Sequence, residues 1–239
     1  MEMLSMILAV VFILVAAKLF VYKLFFKDEV NAALERDPAA VNSLSVILTY
    51  PGLHALFYHR VGHALYQRGL PFFARAVSQF GRWLTGVEIH PGAKIGKGLF
   101  IDHGMGVVIG ETTIIGDNVT LFQGVTLGGT GKKKGKRHPT LGNNVVVGAG
   151  AKVLGDIHIG DNVSVGANAV VVRDVPANST VVGVPGRITS REGKKVPGIN
   201  LDHTSLPDPL TQALEKLQHE IDKIEGELKD FHGDDKKKR

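Results

Sequence analysis

A six-residue periodicity runs through the middle of this 239-residue sequence. From Val87 onward, apolar residues recur at every sixth position with glycines between them. The first series is Ile89, Ile95, Ile101, Val107, Thr113, Val119 and Val125, and a second is Ile109, Ile115, Leu121 and Leu127. One inward apolar residue per hexapeptide, followed by small turn residues, is typical of a parallel β-helix, in which three hexapeptides close one turn of a triangular coil. A doubly wound sheet would need helices between its strands, and this spacing leaves no room for them.

The repeat is interrupted once, between Val125 and Leu141, which are sixteen residues apart. The six-residue spacing resumes after Leu141. We therefore predict a β-helix over 86–190 with a loop extruded from it at 129–139. The loop is rich in glycine, lysine and arginine, and loops beside a rigid scaffold often carry binding residues.

The sequences on both sides of the repeat are typical of helices. Apolar residues at three- and four-residue spacing, with Pro51 and Pro71 as helix starts, predict a short helical region over 28–85. In the C-terminal tail, 191–239, a heptad pattern predicts a helix over 208–231. That helix could pack back on the protein or form a three-stranded coiled coil, and the pattern leaves both open.

Residues 1–27 form a hydrophobic N-terminal segment, in which Lys18 and Lys23 are the only charged residues between Met3 and Phe26. If Lys18 extends toward lipid headgroups, the segment reaches the ~20 residues needed to cross a bilayer. The lysines on its C-terminal flank favour a cytoplasmic location for the rest of the chain. We expect an anchor to the inner face of the cell membrane rather than a cleaved signal peptide. The alternative is a helix that packs on the protein or lies along the membrane surface.

The composition excludes several kinds of chemistry. The sequence contains no cysteine, which excludes disulfides, thiolate metal sites and a cysteine nucleophile. Its net charge of +5 comes mainly from basic runs at 132–137, 191–195 and 236–239. We interpret these runs as a loop and tails rather than a nucleic-acid surface, because no nucleic-acid-binding motif accompanies them.

Four short motifs accompany the repeat: Ile101-Asp-His-Gly104, Gly128-Gly-Thr-Gly-Lys132, Arg137-His-Pro139 and Gly183-Val-Pro-Gly-Arg187. With them, the sequence from about Asp37 to Arg187 resembles the serine O-acetyltransferases, in their shorter form. The resemblance implies a left-handed parallel β-helix that forms a homotrimer with active sites between neighbouring coils. Some members of the family pair trimers into hexamers through their N-terminal helices, and the short helical region here favours a trimer. It implies transfer of the acetyl group of acetyl-CoA to L-serine, which yields O-acetyl-L-serine and CoA in the first step of cysteine biosynthesis. No metal is expected.

The resemblance assigns His103 as the general base that takes the proton of the serine hydroxyl. The residue that orients its ring would be Glu88, where many relatives carry aspartate. Asp102 and His103 are adjacent, so their side chains would point to opposite sides of an extended strand. Glu88, fifteen residues before His103 and thus nearly one eighteen-residue turn away, is better placed to meet it at an edge of the coil.

The remaining assignments concern binding. By the same resemblance, Asp37 and Asp102 bind the serine ammonium, and Arg137 with His138 binds its carboxylate, although His138 could instead stabilise the oxyanion. For acetyl-CoA, the small residues suited to the pantetheine arm are Gly129, Thr130, Gly131, Ala149 and Gly150, and the cations suited to its phosphates are Lys132 and Arg187. Cysteine is implied as a feedback inhibitor at the serine site. Docking into O-acetylserine sulfhydrylase is not expected, because the family uses a terminal isoleucine and this sequence ends at Arg239.

Other interpretations compete with these assignments. The same fold also serves acetyltransferases of sugars, although those would not need the paired clamps for ammonium and carboxylate. It also serves zinc-dependent carbonic anhydrases, for which the candidate ligands are His90, His103, His138 and His158. A third class is a non-catalytic membrane-tethered scaffold. Taken singly, His103 could be structural, Asp37 a helix cap and Glu88 a solvent-facing charge.

Overall fold

The computed structural model describes residues 2–131, 134–190 and 216–224. Five helices precede the first strand: α1 (Glu2–Phe25), α2 (Lys27–Arg36), α3 (Ser43–Thr49), α4 (Pro51–Gln67) and α5 (Pro71–Thr85). Proline occupies the first turn of α4 and of α5. A backbone N–H at this position has no acceptor within the helix, so its absence from proline costs no helical hydrogen bond. Gly86 ends α5 at φ +71°, a left-handed conformation that glycine adopts without steric cost. The chain enters the first strand two residues later.

Fifteen short strands form a coil with three faces. The first face contains β1 (Glu88–Ile89), β4 (Val108–Ile109), β7 (Thr126–Gly128), β10 (Lys152–Leu154) and β13 (Val170–Val171). The second contains β2 (Lys94–Ile95), β5 (Ile114–Ile115), β8 (Thr140–Leu141) and β11 (His158–Ile159). The third contains β3 (Phe100–Ile101), β6 (Thr120–Leu121), β9 (Val146–Val147), β12 (Ser164–Val165), β14 (Ser179–Val182) and β15 (Arg187–Ser190). All pairings are parallel except that of β14 with β15, so the predicted left-handed parallel β-helix is confirmed.

The register shows two insertions in the coil, so the prediction of a single interruption was wrong. Glu88 pairs with Val108, twenty residues on, whereas Val108 pairs with Thr126, eighteen residues on. The first coil is therefore two residues longer than the second, and the difference lies in the turn between β3 and β4, at 102–107. Ile114 pairs with Thr140, twenty-six residues on, because of the extruded loop. The apolar spacing of the sequence does not reveal the first insertion, because Val107, six residues after Ile101, is also apolar and buried.

A column of aliphatic side chains fills the coil. Its fully buried members include Ile109, Leu121, Leu127, Leu141 and Ile159, and burial of each such side chain contributes roughly 1.5–3 kcal/mol to stability. The helices close the N-terminal end of the coil. Gly52 of α4 lies so close to Ile101 that a Cβ there would be 2.7 Å from the Ile101 Cβ, and Ser78 of α5 donates a hydrogen bond to the Ile89 carbonyl at 2.7 Å. These contacts hold the helical region rigidly against the coil.

α1 divides into an exposed part and a packed part. Most described side chains from Met3 to Ala17 are exposed, whereas Tyr22 and the following Phe26 are buried, and the ring of Tyr22 stacks on Phe57 of α4 at 5.8 Å. Lys18 lies 3.1 Å from His54 Nε2, so its ammonium group contacts α4. Within the described residues, α1 is the one helix long and apolar enough to cross a membrane.

The described part of the C-terminal tail, 216–224, is helical. Its heptad residues Leu217, Ile221 and Ile224 are at least half exposed. The remaining heptad positions, Leu210, Leu214 and Leu228, lie outside the described residues, as does most of the predicted helix over 208–231.

Candidate active site

The turn that joins the third face to the first carries His103. The backbone of His103 has φ +57° and that of the next residue, Gly104, φ +77°, so the chain leaves the extended conformation immediately after Asp102. The expectation that Asp102 and His103 point to opposite sides was therefore wrong, because it assumed an extended strand. His103 Nε2 lies 3.9 Å from Asp102 Oδ1, and 73% of the His103 side chain is exposed. The imidazole is thus open to a substrate and close to a carboxylate.

Asp37 lies directly after α2 and is held by two hydrogen bonds. Its Oδ2 accepts a hydrogen bond from the Tyr50 hydroxyl at 2.5 Å, and its Oδ1 accepts one from the Ala39 backbone N–H at 2.8 Å. Burial, this hydrogen bond and the charges of Asp37 and Asp102 raise the pKa of Tyr50 to about 12. Tyr50 also lies two residues before Gly52, which packs against Ile101, the neighbour of Asp102. The helical region therefore brings Asp37 to the same edge of the coil as Asp102. We call this the His103 edge.

Glu88 lies on the His103 edge but contacts another partner. Gly106 donates a backbone hydrogen bond to the Gly86 carbonyl at 2.9 Å, which places the His103 turn beside the start of β1. The Glu88 carboxylate forms an ion pair with Arg82 Nη1 at 3.0 Å. Within the described chain, no hydrogen bond or ion pair joins Glu88 to His103.

Arg137 and His138 lie on a second edge, where the first face turns into the second. We call this the Arg137 edge. His138 is 8% exposed, and its Nδ1 lies 2.9 Å from Thr112 Oγ1. Arg137 forms an ion pair with Glu111, which also accepts a hydrogen bond from the Tyr66 hydroxyl at 3.2 Å. Burial first, and then the charge of Arg137, lower the pKa of His138, so its ring is neutral at physiological pH.

One face of the coil separates the two edges. The span from Gly106 to Gly110 crosses it in four residue steps of about 3.3 Å, or roughly 13 Å in all. That distance exceeds the reach of the ammonium and carboxylate of a single amino acid. The structure thus brings Asp37, Asp102 and His103 together on one edge and Arg137 with His138 on the other, and it does not bring the two groups together within one chain.

The residues assigned to acetyl-CoA also divide between the edges. Ala149 and Gly150 lie two coils above His103 on the His103 edge, where Gly150 donates a hydrogen bond to the Gln123 carbonyl at 2.8 Å. On the Arg137 edge, a Cβ at Gly129 would lie 3.0 Å from His138 Nε2. The neighbouring Thr130 and Gly131 are exposed there, and Gly131 has φ +77°. Arg187 is exposed at the start of β15, and Lys132 lies outside the described residues.

Four residues of this region lie outside the sequence motifs. Tyr50, Tyr66, Glu111 and Thr112 support the assigned groups, and none belongs to a motif that stands out by itself. The register of the coil accounts for two of them. Because Ile114 pairs with Thr140, Glu111 and Thr112 occupy the coil positions directly below Arg137 and His138. No group of three His, Asp or Glu side chains within the described residues is arranged to hold a metal ion.

Comparisons with known proteins agree with this architecture. The family model described as bacterial transferase hexapeptide (six repeats) matches residues 138–173. A serine acetyltransferase of Staphylococcus aureus is 56% identical over 205 residues, which are 85% of this chain and 96% of that protein. A serine acetyltransferase in complex with cysteine superposes with a TM-score of 0.72 at 39% identity, covering 75% of this chain and 70% of the other. A Brucella abortus serine acetyltransferase in complex with coenzyme A gives a TM-score of 0.69 at 41% identity, covering 73% of this chain and 70% of the other. With its hexapeptide coil and its two edges of acidic, basic and histidine side chains, this chain belongs to the serine acetyltransferase family.

Proposed function

We propose that this protein transfers the acetyl group of acetyl-CoA to the hydroxyl of L-serine, with His103 as the general base. The observation that carries the proposal is the exposed His103 imidazole, 3.9 Å from Asp102 and on the same edge as Asp37. It is complemented by a guanidinium and a neutral imidazole on the other edge. Family membership supports the reaction, and the geometry supports the roles proposed for the residues.

The reaction proceeds by direct attack on the thioester. His103 takes the proton of the serine hydroxyl as the oxygen bonds to the acetyl carbon. The tetrahedral intermediate then collapses, the carbon–sulfur bond breaks, and the CoA sulfur receives the proton that His103 took. The developing oxyanion needs a donor, and the neutral His138 can supply its Nε2–H.

Two clamps select an amino acid over a simple alcohol. Asp37 and Asp102 bear carboxylates suited to the substrate ammonium, and Asp37 keeps lone pairs for it after accepting from Tyr50 and Ala39. Arg137 can hold the carboxylate with two parallel hydrogen bonds. An acetyltransferase of sugars would have no use for either clamp.

We propose that the carboxylate of Glu88 orients the His103 ring. Support comes from its place beside the His103 turn, although its ion pair with Arg82 must loosen for the two to meet. Glu88→Gln should then lower kcat roughly tenfold or more, because general-base catalysis is worth about 10²–10⁴-fold and depends on the ring orientation. Glu88→Asp should retain most of the rate. If Glu88→Gln is fully active, Asp102 rather than Glu88 orients the ring.

The complete site lies between two chains. Each chain carries both half-sites but holds them a face apart, so the His103 edge of one chain must meet the Arg137 edge of a neighbour. Trimeric assembly is known for this family, and a closed ring of three chains pairs every edge with a partner. We propose a homotrimer with three shared sites.

The acetyl-CoA site follows the same division. The pantetheine arm lies between the small residues of the two edges, Gly129, Thr130 and Gly131 on one chain and Ala149 and Gly150 on the next. Lys132 and Arg187 supply positive charge for the phosphates. Cysteine carries the same ammonium and carboxylate as serine, so we propose that it inhibits by occupying the same clamps.

The exposed part of α1 anchors the chain to the inner face of the cell membrane. Support comes from its exposed apolar side chains, including Met6, Phe12 and Ile13, and from the lysines on its C-terminal side. Because Lys18 contacts α4, the part free to enter lipid is Met3 to Ala17, which is shorter than the ~20 residues of a full span. The catalytic domain therefore lies close against the lipid surface.

Removal of residues 2–17 tests the anchor. The truncated protein should move from the membrane fraction to the soluble fraction of lysed cells, because its apolar surface is lost. Its thiol-release activity should match that of the full chain, since both edges remain. Recovery of the full-length protein in the soluble fraction contradicts the proposal.

Thiol release from acetyl-CoA tests the reaction. The rate of thiol release by purified full-length protein is measured with L-serine, D-serine, threonine and a simple sugar as acceptors. We expect release that requires L-serine and that falls about 10²–10⁴-fold in His103→Ala. His158→Ala is a matched control, because His158 is exposed on the second face. Preference for a sugar, or full activity of His103→Ala, would show that the serine assignment is wrong.

A further inference from the structure

Thr112 makes a closed set of hydrogen bonds with the Arg137–His138 pair. Its Oγ1 accepts hydrogen bonds from the backbone N–H groups of Arg137 at 3.0 Å and of His138 at 3.2 Å. The same oxygen lies 2.9 Å from His138 Nδ1. A hydroxyl has one proton and two acceptor positions. With both acceptor positions taken by backbone donors, the hydroxyl proton of Thr112 points at Nδ1.

This arrangement fixes the proton of His138 on its other nitrogen. The backbone N–H of Thr112 also points at Nδ1, at 3.3 Å, so Nδ1 faces donors only and must accept. The neutral ring therefore carries its proton on Nε2. Glycine at 110 leaves the room that the ring occupies, since a Cβ there would overlap it, and Nε2 lies against Gly129 at the foot of the loop.

Glu111 holds Arg137 in a similar way. Its carboxylate pairs with the Arg137 guanidinium through one oxygen and accepts the Tyr66 hydroxyl through the other at 3.2 Å. Arg137 also donates to the Gly135 carbonyl at 3.1 Å, which leaves several of its N–H groups for a substrate. The hydrogen bond from Arg137 is the largest cause of the lowered pKa of Glu111, which is therefore ionised at neutral pH.

We propose that Glu111 and Thr112 are positioning residues of the amino-acid site: Glu111 fixes the guanidinium that binds the substrate carboxylate, and Thr112 fixes the tautomer of the imidazole that donates to the oxyanion. The inference rests on the proposed function for the roles of Arg137 and His138. The positioning itself rests on the contacts within the chain. Two consecutive residues of one turn thus fix the orientation of the guanidinium and the tautomer of the imidazole on the Arg137 edge.

Thr112→Val removes the hydroxyl with little change of shape, and Thr112→Ser restores it. We expect kcat of Thr112→Val to fall roughly ten- to a hundredfold, below the 10²–10³-fold cost of losing an oxyanion donor outright, because the ring remains. KM for L-serine should change little, since the donor acts mainly in the transition state. Thr113→Val is the matched control: Thr113 is adjacent and fully buried, and its hydroxyl has no hydrogen-bond partner among the residues that the structure describes. It should keep the wild-type rate.

Glu111→Gln tests the second contact by a different kinetic signature. Loss of its charge should raise KM for L-serine roughly three- to tenfold, because a charge-assisted pair no longer orients Arg137. KM for acetyl-CoA should not change. Glu35→Gln, an exposed carboxylate on α2, serves as the control and should leave both values unchanged.

The ¹⁵N spectrum of the His138 ring provides the test that does not depend on activity. In histidine-labelled full-length protein, with His138→Ala for assignment, wild type should show a protonated Nε2 and an unprotonated Nδ1 at neutral pH. In Thr112→Val only the weaker backbone donor, 3.3 Å from Nδ1 in wild type, still opposes a proton on Nδ1, so the share of the Nδ1-protonated tautomer should rise above that of wild type. Thr112→Ser and Thr113→Val should keep the wild-type pattern. The proposal is overturned by a protonated Nδ1 in neutral wild-type His138, or by Thr112→Val matching Thr113→Val in both tautomer and kcat. If wild type releases no thiol with L-serine, the proposed function fails while the spectrum still decides the positioning.

Discussion

His103 occupies a backbone conformation that few side chains adopt. At φ +57°, asparagine, aspartate and histidine are several-fold enriched over other non-glycine residues, whereas a β-branched residue would be strained. The conformation arises in the turn that is two residues longer than the corresponding turn of the next coil. The longer turn lifts the imidazole off the edge of the coil, where it is 73% exposed. The insertion therefore places the imidazole of the proposed base where a substrate can reach it.

Tyr50 is a residue that the structure adds to the His103 edge. In Tyr50→Phe, Asp37 loses the hydrogen bond at Oδ2 but keeps the one from Ala39, so its carboxylate becomes free to rotate. Hydrogen bonds to charged groups contribute about 1.5–3 kcal/mol, and water replaces part of this, so we expect KM for L-serine to rise roughly three- to tenfold.

Steady-state kinetics with L-serine varied would detect the effect of Tyr50→Phe. KM for acetyl-CoA and kcat should stay near the wild-type values. Tyr58→Phe is a suitable control, because the Tyr58 ring makes aromatic contacts with Phe57 and Phe80. Equal KM values for L-serine in the two variants would show that the Tyr50 hydroxyl does not support Asp37.

At the scale of the elements, α4 carries a histidine that should make the protein sensitive to acid. Burial first, and then the charges of His63, Arg60 and His90, lower the pKa of His59 to about 3. The unfolded chain binds a proton at this residue below pH 6.5, whereas the folded chain does not until about pH 3. Stability is therefore lost as the pH falls through this range, by about 2 kcal/mol per chain at pH 5.

His59→Phe should remove this loss. Urea unfolding of both proteins at pH 7.5 and pH 5, at one protein concentration, gives the comparison. The free energy of unfolding of wild type should fall more steeply with decreasing pH than that of the variant, because the unfolded variant gains no proton at residue 59. Parallel pH dependences would mean that His59 is protonated in the folded protein.

The strands show how much of the architecture the sequence could predict. The spacing of Ile109, Ile115, Leu121 and Leu127 predicted the coil correctly, because each strand points one aliphatic side chain inward and the next strand begins six residues later. The extra residues at 102–107 could not be predicted, because Val107 kept the apolar spacing while the strand residue was Ile109. The contacts of Glu111 and Thr112 depend on the lengths of the coils, so no local sequence pattern predicts them. The roles of the motif residues His103, Arg137 and His138 come from the resemblance and stay predictions, whereas their separation onto two edges required the register.

On the scale of the whole molecule, the first face acts as a spacer between two incomplete half-sites. In the proposed mechanism, the His103 edge supplies the base and the acidic clamp, and the Arg137 edge supplies the guanidinium and the oxyanion donor. A chain that acts alone has no complete site. Activity should therefore depend on assembly, and each active site should draw on two different chains.

Mixing two inactive variants tests this claim most directly. His103→Ala and Arg137→Ala are each purified, unfolded, combined in equal amounts and refolded into mixed trimers. Random assembly gives an intact His103 edge facing an intact Arg137 edge at about one quarter of the interfaces, so thiol release with L-serine should recover to about a quarter of the wild-type rate. As a control, wild type is refolded with an equal amount of a variant that carries both His103→Ala and Arg137→Ala. This mixture should also give about a quarter of the wild-type rate if sites are shared between chains, but about half if each site lies within one chain. Recovery near a quarter in the first mixture supports a serine acetyltransferase site shared between chains, and the absence of any recovery contradicts it.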